Sequence, residues 1–189
     1  MTGNASEIEE RFAALGCITL PALRWLKANG VPSRAITNPE MPASAKVAFQ
    51  VGSPFFDFED ELEEEAETTC AMILMARDLL GEPVDLVAWS ARMQRVATWS
   101  GADLPMLGWH NVFTPRLDLG DALAVHPTPL EWLRDSREGI VILKEDRARF
   151  HLQGFSLKVD DAAFGRRIRD ALRWPEPKIF VEARVRAAA

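Results

Sequence analysis

PVDLVAWSARMQRVATW, residues 83–99, and ALAVHPTPLEWLRDSREGIVIL, residues 122–143, are the stretches whose reading decides the fold. In the first, two apolar runs at 84–89 and 94–99 flank a short polar break, the pattern of two strands joined by a turn. The second reads as strand, helix and strand at 123–126, 129–136 and 139–143. Thr128 stands where a cap belongs, and Pro129 occupies the first helical turn. Trp89, Trp99, Trp109 and Trp132, four of the six tryptophans, lie between 83 and 143. Large aromatic side chains bury the most area per residue, so the core is expected here.

Working back toward the N-terminus, residues 62–80 carry two readings. Leu62, Ala66, Cys70, Ile73 and Leu80 suit a helix, whereas 69–75 is a short apolar run that suits a strand. Period alone does not arbitrate so short a run. The strand is preferred, which makes 71–76, 84–89 and 94–99 a meander preceded by an acidic loop or short helix. Residues 46–51 alternate as a strand, with Gly52 and Ser53 as the turn into a hairpin partner at 55–58. Pro32, Pro39 and Pro42 mark 31–44 as loop. Before it stand two helices. One, capped by Asn4 or Ser6, carries Ile8, Phe12 and Leu15 on one face and ends at Gly16. The other opens at Thr19 and Pro21, carries Leu20, Leu23 and Leu26 with Trp25 beside them, and stops at Asn29-Gly30. A helix-turn-helix needs a polar, basic second helix; Trp25 and Leu26 fit packing against a core instead.

Toward the C-terminus, 101–120 is expected as loop. The continuous apolar run 139–143 is expected as an interior strand of a parallel sheet. A helical turn follows at 145–152. Asp160 or Asp161 then caps an amphipathic helix, 162–174, with Phe164, Ile168, Ala171 and Leu172 apolar, before a last strand at 178–185. The fold class is α+β (mixed α/β): a strand meander followed by a small strand–helix–strand unit, with an N-terminal helix pair. The division is 1–44 for the helix pair and loop and 45–189 for the core, the whole also being readable as a single domain.

No apolar run reaches 18 residues, so no membrane span is expected. The first ten residues lack the basic and apolar regions of a secretory signal. Cys17 and Cys70 read as buried or half-buried free thiols of a reducing compartment, and the expected location is cytoplasmic. The net charge of −6 is uneven: residues 1–133 carry −10 and residues 134–189 carry +4. Eight of the eleven residues in 57–67 are acidic, a block that repels other anions. Asp57, Asp60 and Glu63–Glu65 offer oxygens for a divalent cation, but the block lacks the glycine turn and alternating spacing of a calcium loop. No metal site and no cofactor are expected. Arg166, Arg167, Arg169 and Arg173 are the densest cations in the chain. Helical arginines ordinarily just solvate a surface, so they mark where nucleic acid would touch if it touches at all.

No Gly-rich phosphate loop, nucleophile elbow or zinc-protease motif is present. His110, Asp118 and His126 are the candidates for a loop-built enzymatic site. A cleft in which they converge would favour an enzyme. A basic face or an exposed apolar patch would favour a protein that works by binding, with another protein as a possible partner.

R-D-x-x-G-x-x-V at Arg77, Asp78, Gly81 and Val84, a strand at 96–101, Leu107-Gly108, and a strand and helix at 122–125 and 129–136 follow one another in order. This succession resembles the core of phage and plasmid primases with the TOPRIM fold. In that family a glutamate-glycine pair ends the strand and a D-x-D pair follows later. Here His126 and Pro127 take the first position, and Lys144-Glu145-Asp146 does not match the second. Those carboxylates hold the magnesium that phosphoryl transfer needs. The resemblance therefore implies a non-catalytic relative: an accessory or interaction protein of mobile-element replication, prophage-type and bacterial.

Overall fold

Continuous apolar runs along the middle of the chain, at 71–76 and 86–89, build strands buried on both faces and hence a sheet with two apolar faces. A computed structural model describes residues 5–62, 66–101, 103–113 and 122–174. Strands β1 (Ala43–Phe49), β2 (Phe56–Phe58), β3 (Thr69–Arg77), β4 (Pro83–Ser90) and β5 (Arg95–Thr98) pair antiparallel in the order β2-β1-β3-β4-β5. The preferred meander is β3-β4-β5, and the hairpin across Gly52-Ser53 is β1-β2. The two edges of the sheet touch, since Phe55 bridges Thr98 and the Thr98 N–H donates to the Pro54 carbonyl at 2.9 Å. The sheet is thus curled until its two edges meet at this bridge.

The inner face carries Val47, Phe56, Phe58, Ile73 and Leu86 with the small residues Ala43, Ala71, Ala88 and Ala97. Those alanines leave room for tight curvature around the larger side chains. Helix α1 (Ala5–Ala14) covers this face with Ile8, Phe12 and Leu15. Its Arg11 lies over the Phe58 ring at 4.2 Å and pairs with Asp60 and Glu61. That hydrogen bond holds the Asp60 carboxyl below its usual range. Part of the acidic block is therefore neutralised locally; Glu63–Glu65 lie outside the described residues.

The outer face presents Met72, Leu74, Val87 and Trp89. It is covered by helix α2 (Leu20–Ala28) through Leu26, by helix α3 (Ser33–Thr37) through Ala35 and Ile36, and by the C-terminal half through Leu107, Trp132 and Val141.

Asp85 is wholly buried on β4, where its Oδ1 accepts the amides of Leu86 and Ser100. Burial raises its pKa, against the lowering effect of those hydrogen bonds. A carboxyl whose folded pKa is raised binds its proton more tightly in the native state. Stability is then fully present below the ordinary carboxylate range and falls as pH rises through the raised value. Urea midpoints measured from pH 4 to 8 should show this fall, and Asp85→Asn should flatten it. A fall of the same size in the variant would assign it to other groups.

The C-terminal half contains β6 (Met106–Leu107), β7 (Leu123–Ala124), α4 (Pro129–Arg134), β8 (Val141–Ile142), α5 (Glu145–His151), β9 (Leu157–Lys158) and α6 (Ala162–Leu172). β8 pairs antiparallel with β6, Val125 bridges Ile140 in parallel, and β7 pairs parallel with β9. The spatial order is β6-β8-β7-β9.

The fold class is as expected, and several details differ. The run 139–143 is interior, but one neighbour is antiparallel, and Ile142 and Leu143 are only half-buried. The expected loops hold structure: α3, β6 and a 3₁₀ turn at Trp109–Phe113. Those elements are two to five residues long, below the length at which periodicity shows. β9 went unforeseen for the same reason. Leu20 points to solvent, because the buried stripe of α2 runs through Ala22, Leu23 and Leu26. Cys17 and Cys70 are exposed rather than buried. Helix α6 ends at Leu172, and the strand expected at 178–185 lies outside the described residues.

Candidate functional site

In the order β8-β7-β9, the chain leaves β7 through α4 to reach β8 on one side, while β9 lies on the other. β7 is therefore where the strand order reverses. The carboxyl ends of parallel strands at such a point form a natural crevice for a ligand. A cavity of about 490 Å³ opens there, between 124–126 after β7, 158–160 after β9, and Glu131, Arg134 and Asp135 of the α4 region.

His126 is the buried polar side chain of this crevice, 7% exposed. Its Nε2–H donates to the Glu138 carbonyl at 3.0 Å, and Asp135 Oδ2 lies 3.4 Å from the same nitrogen. A carbonyl only accepts, so Nε2 carries a proton and Nδ1 is the ring nitrogen that this contact leaves unused. Lys158, Arg134, Glu131 and Asp160 give the rim both signs of charge. Helix α4 ends in a Schellman arrangement: Arg137 N–H bonds the Trp132 carbonyl and Ser136 N–H bonds the Leu133 carbonyl. Ser136 and Arg137 both adopt positive φ, 60° and 64°, where glycine is usual. Tertiary contacts hold them there, among them the Arg34 Nε hydrogen bond to Ser136 Oγ at 2.7 Å.

The turn places Arg137 in the interior. Its Nε donates to the Ala35 carbonyl at 2.7 Å, and its Nη2 to the Glu40 carbonyl at 2.8 Å. The Glu40 carboxylate lies between two guanidiniums, 3.3 Å from Arg137 and 2.8 Å from Arg77. Burial pulls the Arg137 pKa down, with Glu40 opposing. His110 faces this triad. Burial lowers its pKa, Arg77 and Arg137 lower it further, and Glu40 opposes them.

The two candidate histidines therefore serve different surroundings: His110 the buried triad, His126 the crevice. Asp118 lies outside the described residues. The Arg77-Asp78-Gly81 motif is built as a turn. Asp78 Oδ1 accepts the amides of Leu80 and Glu82, Gly81 has φ +86°, and Arg77 Nη1 donates to the Gly81 carbonyl at 2.8 Å. Glu40 and Arg137 escaped the sequence reading because they are far apart in the chain. Asp160 could have been found, since it directly follows the apolar-alternating F-S-L-K-V.

Arg166, Arg167, Arg169 and Arg173 are all exposed on or just beyond α6, as expected of a polar helix face. Arg167 stacks over Phe164 at 5.1 Å. At the end of that helix Trp174 meets Phe150 of α5 edge to face at 4.8 Å, and both rings are half open to solvent. Among the described residues no group of three or more histidines, cysteines or acids could hold a metal ion. No described helix is long and apolar enough to cross a membrane. No protein-family model matches this chain, and neither a curated protein nor a solved structure matches it significantly.

Proposed function

We propose that this chain is a non-enzymatic accessory protein that works by contact, in the cytoplasm, and that the contact is with single-stranded nucleic acid along α6. The observation that carries the reading is the exposed Phe150–Trp174 pair at the end of the arginine-bearing helix. Aromatic faces beside cations are what sequence-independent binding of single strands uses: bases stack on the rings while arginines track phosphate. A duplex offers no free base to stack, so the rings favour single strands. The primase-like succession at 71–143 supports a role around phage or plasmid replication.

Binding of fluorescent single-stranded oligonucleotides tests this. Four cations predict weak affinity and a log–log salt slope of roughly −3 on a single strand. Arg166→Glu with Arg169→Glu should abolish binding at moderate salt. Trp174→Ala should weaken it by roughly 5- to 100-fold, the usual range for losing one stacked base. No detectable binding at low salt overturns the proposal, and so does binding that survives the double charge reversal.

The second reading is an enzyme with a site around 101–126, favoured by the place of His126 in a crevice at the ends of two parallel strands. Thermal-shift screening against phosphorylated and carboxylated metabolites tests it. A stabilising compound whose effect disappears in His126→Asn would favour this reading over the first.

A further inference from the structure

The outer face of the curled sheet is wider than the helix that covers it. Helix α2 has nine residues and is about 13 Å long, and it lies over β3 and β4. Along β1, Ser44 accepts the Thr19 amide at 3.1 Å and Lys46 stands exposed. Register shows what the strip along β1 presents: Ser44 stands opposite Met72 and Met72 opposite Trp89, with Lys46 opposite Cys70 in the next row. Beside it a groove of about 440 Å³ runs between α2 and the β4–β5 turn. Trp25 and Trp89 form one wall, with ring centroids 5.8 Å apart. Ala22 and Ala91 give the groove its depth, because a side chain with no atoms beyond Cβ leaves the space open, while Ala45 and Ala71 turn their methyls to the inner core.

Its charges all have one sign. Of the residues lining the groove, the charged ones are Lys46 and Arg92, and no acid lines it, in a chain whose net charge is −6. Lys46 pairs with Glu59 at 2.8 Å, with both partners more than half exposed. Such a pair contributes little and exchanges readily for another anion. The volume falls in the range of small-molecule sites, and an apolar lining with a few placed polar groups is their usual composition.

We propose that this groove binds a small aromatic carboxylate of one or two rings. The ring system lies against the Trp25–Trp89 wall over Met72, and the carboxylate meets Lys46 and Arg92 at the mouth. The site is separate from the α6 face and does not depend on the nucleic-acid reading. Cys70, on the groove floor and exposed, reports its occupancy; Cys17, also exposed, does not line the groove and serves as the internal control.

The probe is 1-naphthaleneacetate, with the neutral 2-(1-naphthyl)ethanol as comparison. Calorimetry reads affinity, and mass spectrometry reads the rate of alkylation of each cysteine by iodoacetamide. Saturating carboxylate should slow alkylation of Cys70 at least fivefold and leave Cys17 unchanged. The alcohol should bind at least tenfold more weakly. Lys46→Glu with Arg92→Glu should weaken the carboxylate tenfold or more without changing the alcohol. Glu59→Gln, which releases Lys46, should tighten the carboxylate two- to threefold. Ala22→Trp should fill the groove and abolish the protection of Cys70. Absence of heat and of Cys70 protection at millimolar probe overturns the proposal, as does equal affinity for acid and alcohol. Protection of Cys70 that rises with protein concentration alone, together with a dimer in sedimentation equilibrium, would assign the groove to a second copy and overturn it likewise.

Discussion

Gly139→Ala is expected to destabilise the protein by roughly 3–5 kcal/mol, a large share of the 5–15 kcal/mol that holds a typical domain together. Two effects add. Gly139 sits at φ +73°, a conformation that costs a residue with a Cβ about 1–2 kcal/mol. A Cβ there would also lie 2.4 Å from the Ala124 carbonyl oxygen and 2.7 Å from Ala124 Cβ. Neither neighbour can step aside. The Ala124 carbonyl accepts the Ile140 amide at 2.9 Å, and the Gly139 carbonyl is held by Trp132 Nε1 at 3.1 Å and Asn111 Nδ2 at 2.8 Å. Overpacking this close against fixed backbone lies at the upper end of the usual range, about 2–3 kcal/mol more. The melting temperature should fall by roughly 6–20 °C for a chain of this length. Gly154→Ala is the control, because Gly154 has φ +85° with nothing within 4 Å of its would-be Cβ. It should show the conformational cost alone, about 1–2 kcal/mol. Equal losses in the two variants would mean that β7 and the start of β8 do not approach as described, and the crevice beside His126 would lose its frame.

Glu40→Gln should cost about 3–5 kcal/mol in urea denaturation, the usual penalty for stripping a buried ion pair of one partner. Glu40 is the counter-charge of both Arg77 and Arg137, and Arg137 is 7% exposed. Glutamine keeps the shape and one acceptor but leaves two guanidiniums facing each other. Arg137→Met should cost less than Glu40→Gln, since Glu40 keeps Arg77 as a partner, although the Ala35 and Glu40 carbonyls lose their donors. If Glu40→Gln unfolds at the wild-type midpoint, the triad is not a structural node. The segment 31–42, which it ties to the C-terminal half, would then be held by the packing of Val31, Ala35 and Ile36 and by the Arg34–Ser136 hydrogen bond. His110 faces the same charges, so loss of Glu40 should lower its pKa further, since Glu40 is the group that opposes the lowering. An NMR titration of the imidazole would register this.

What the sequence determined by itself is local. Turn chemistry at Gly52-Ser53, the cap at Asp161, proline at the start of α2 and α4, alternation along β1 and the apolar runs of β3 and β4 all act between residues a few positions apart. They were legible for that reason. The mixed α+β class and the meander follow from them. The spacing of Arg77, Asp78 and Gly81 was visible too, but these residues spend their hydrogen bonds closing a turn, which no spacing rule reveals.

Only the tertiary structure decided which faces close and which charges meet. The sheet curls because alanines on four strands fall on one face, a coincidence of registers that no single strand displays. Glu40 pairs with Arg137 across 97 positions, and His110 joins them rather than His126. The crevice exists because β9, two residues long, pairs with β7. The groove exists because α2 is shorter than the sheet is wide. Each is a long-range contact between short elements. Energies of that kind are set by what arrives from elsewhere in the chain, so they leave little trace in local pattern.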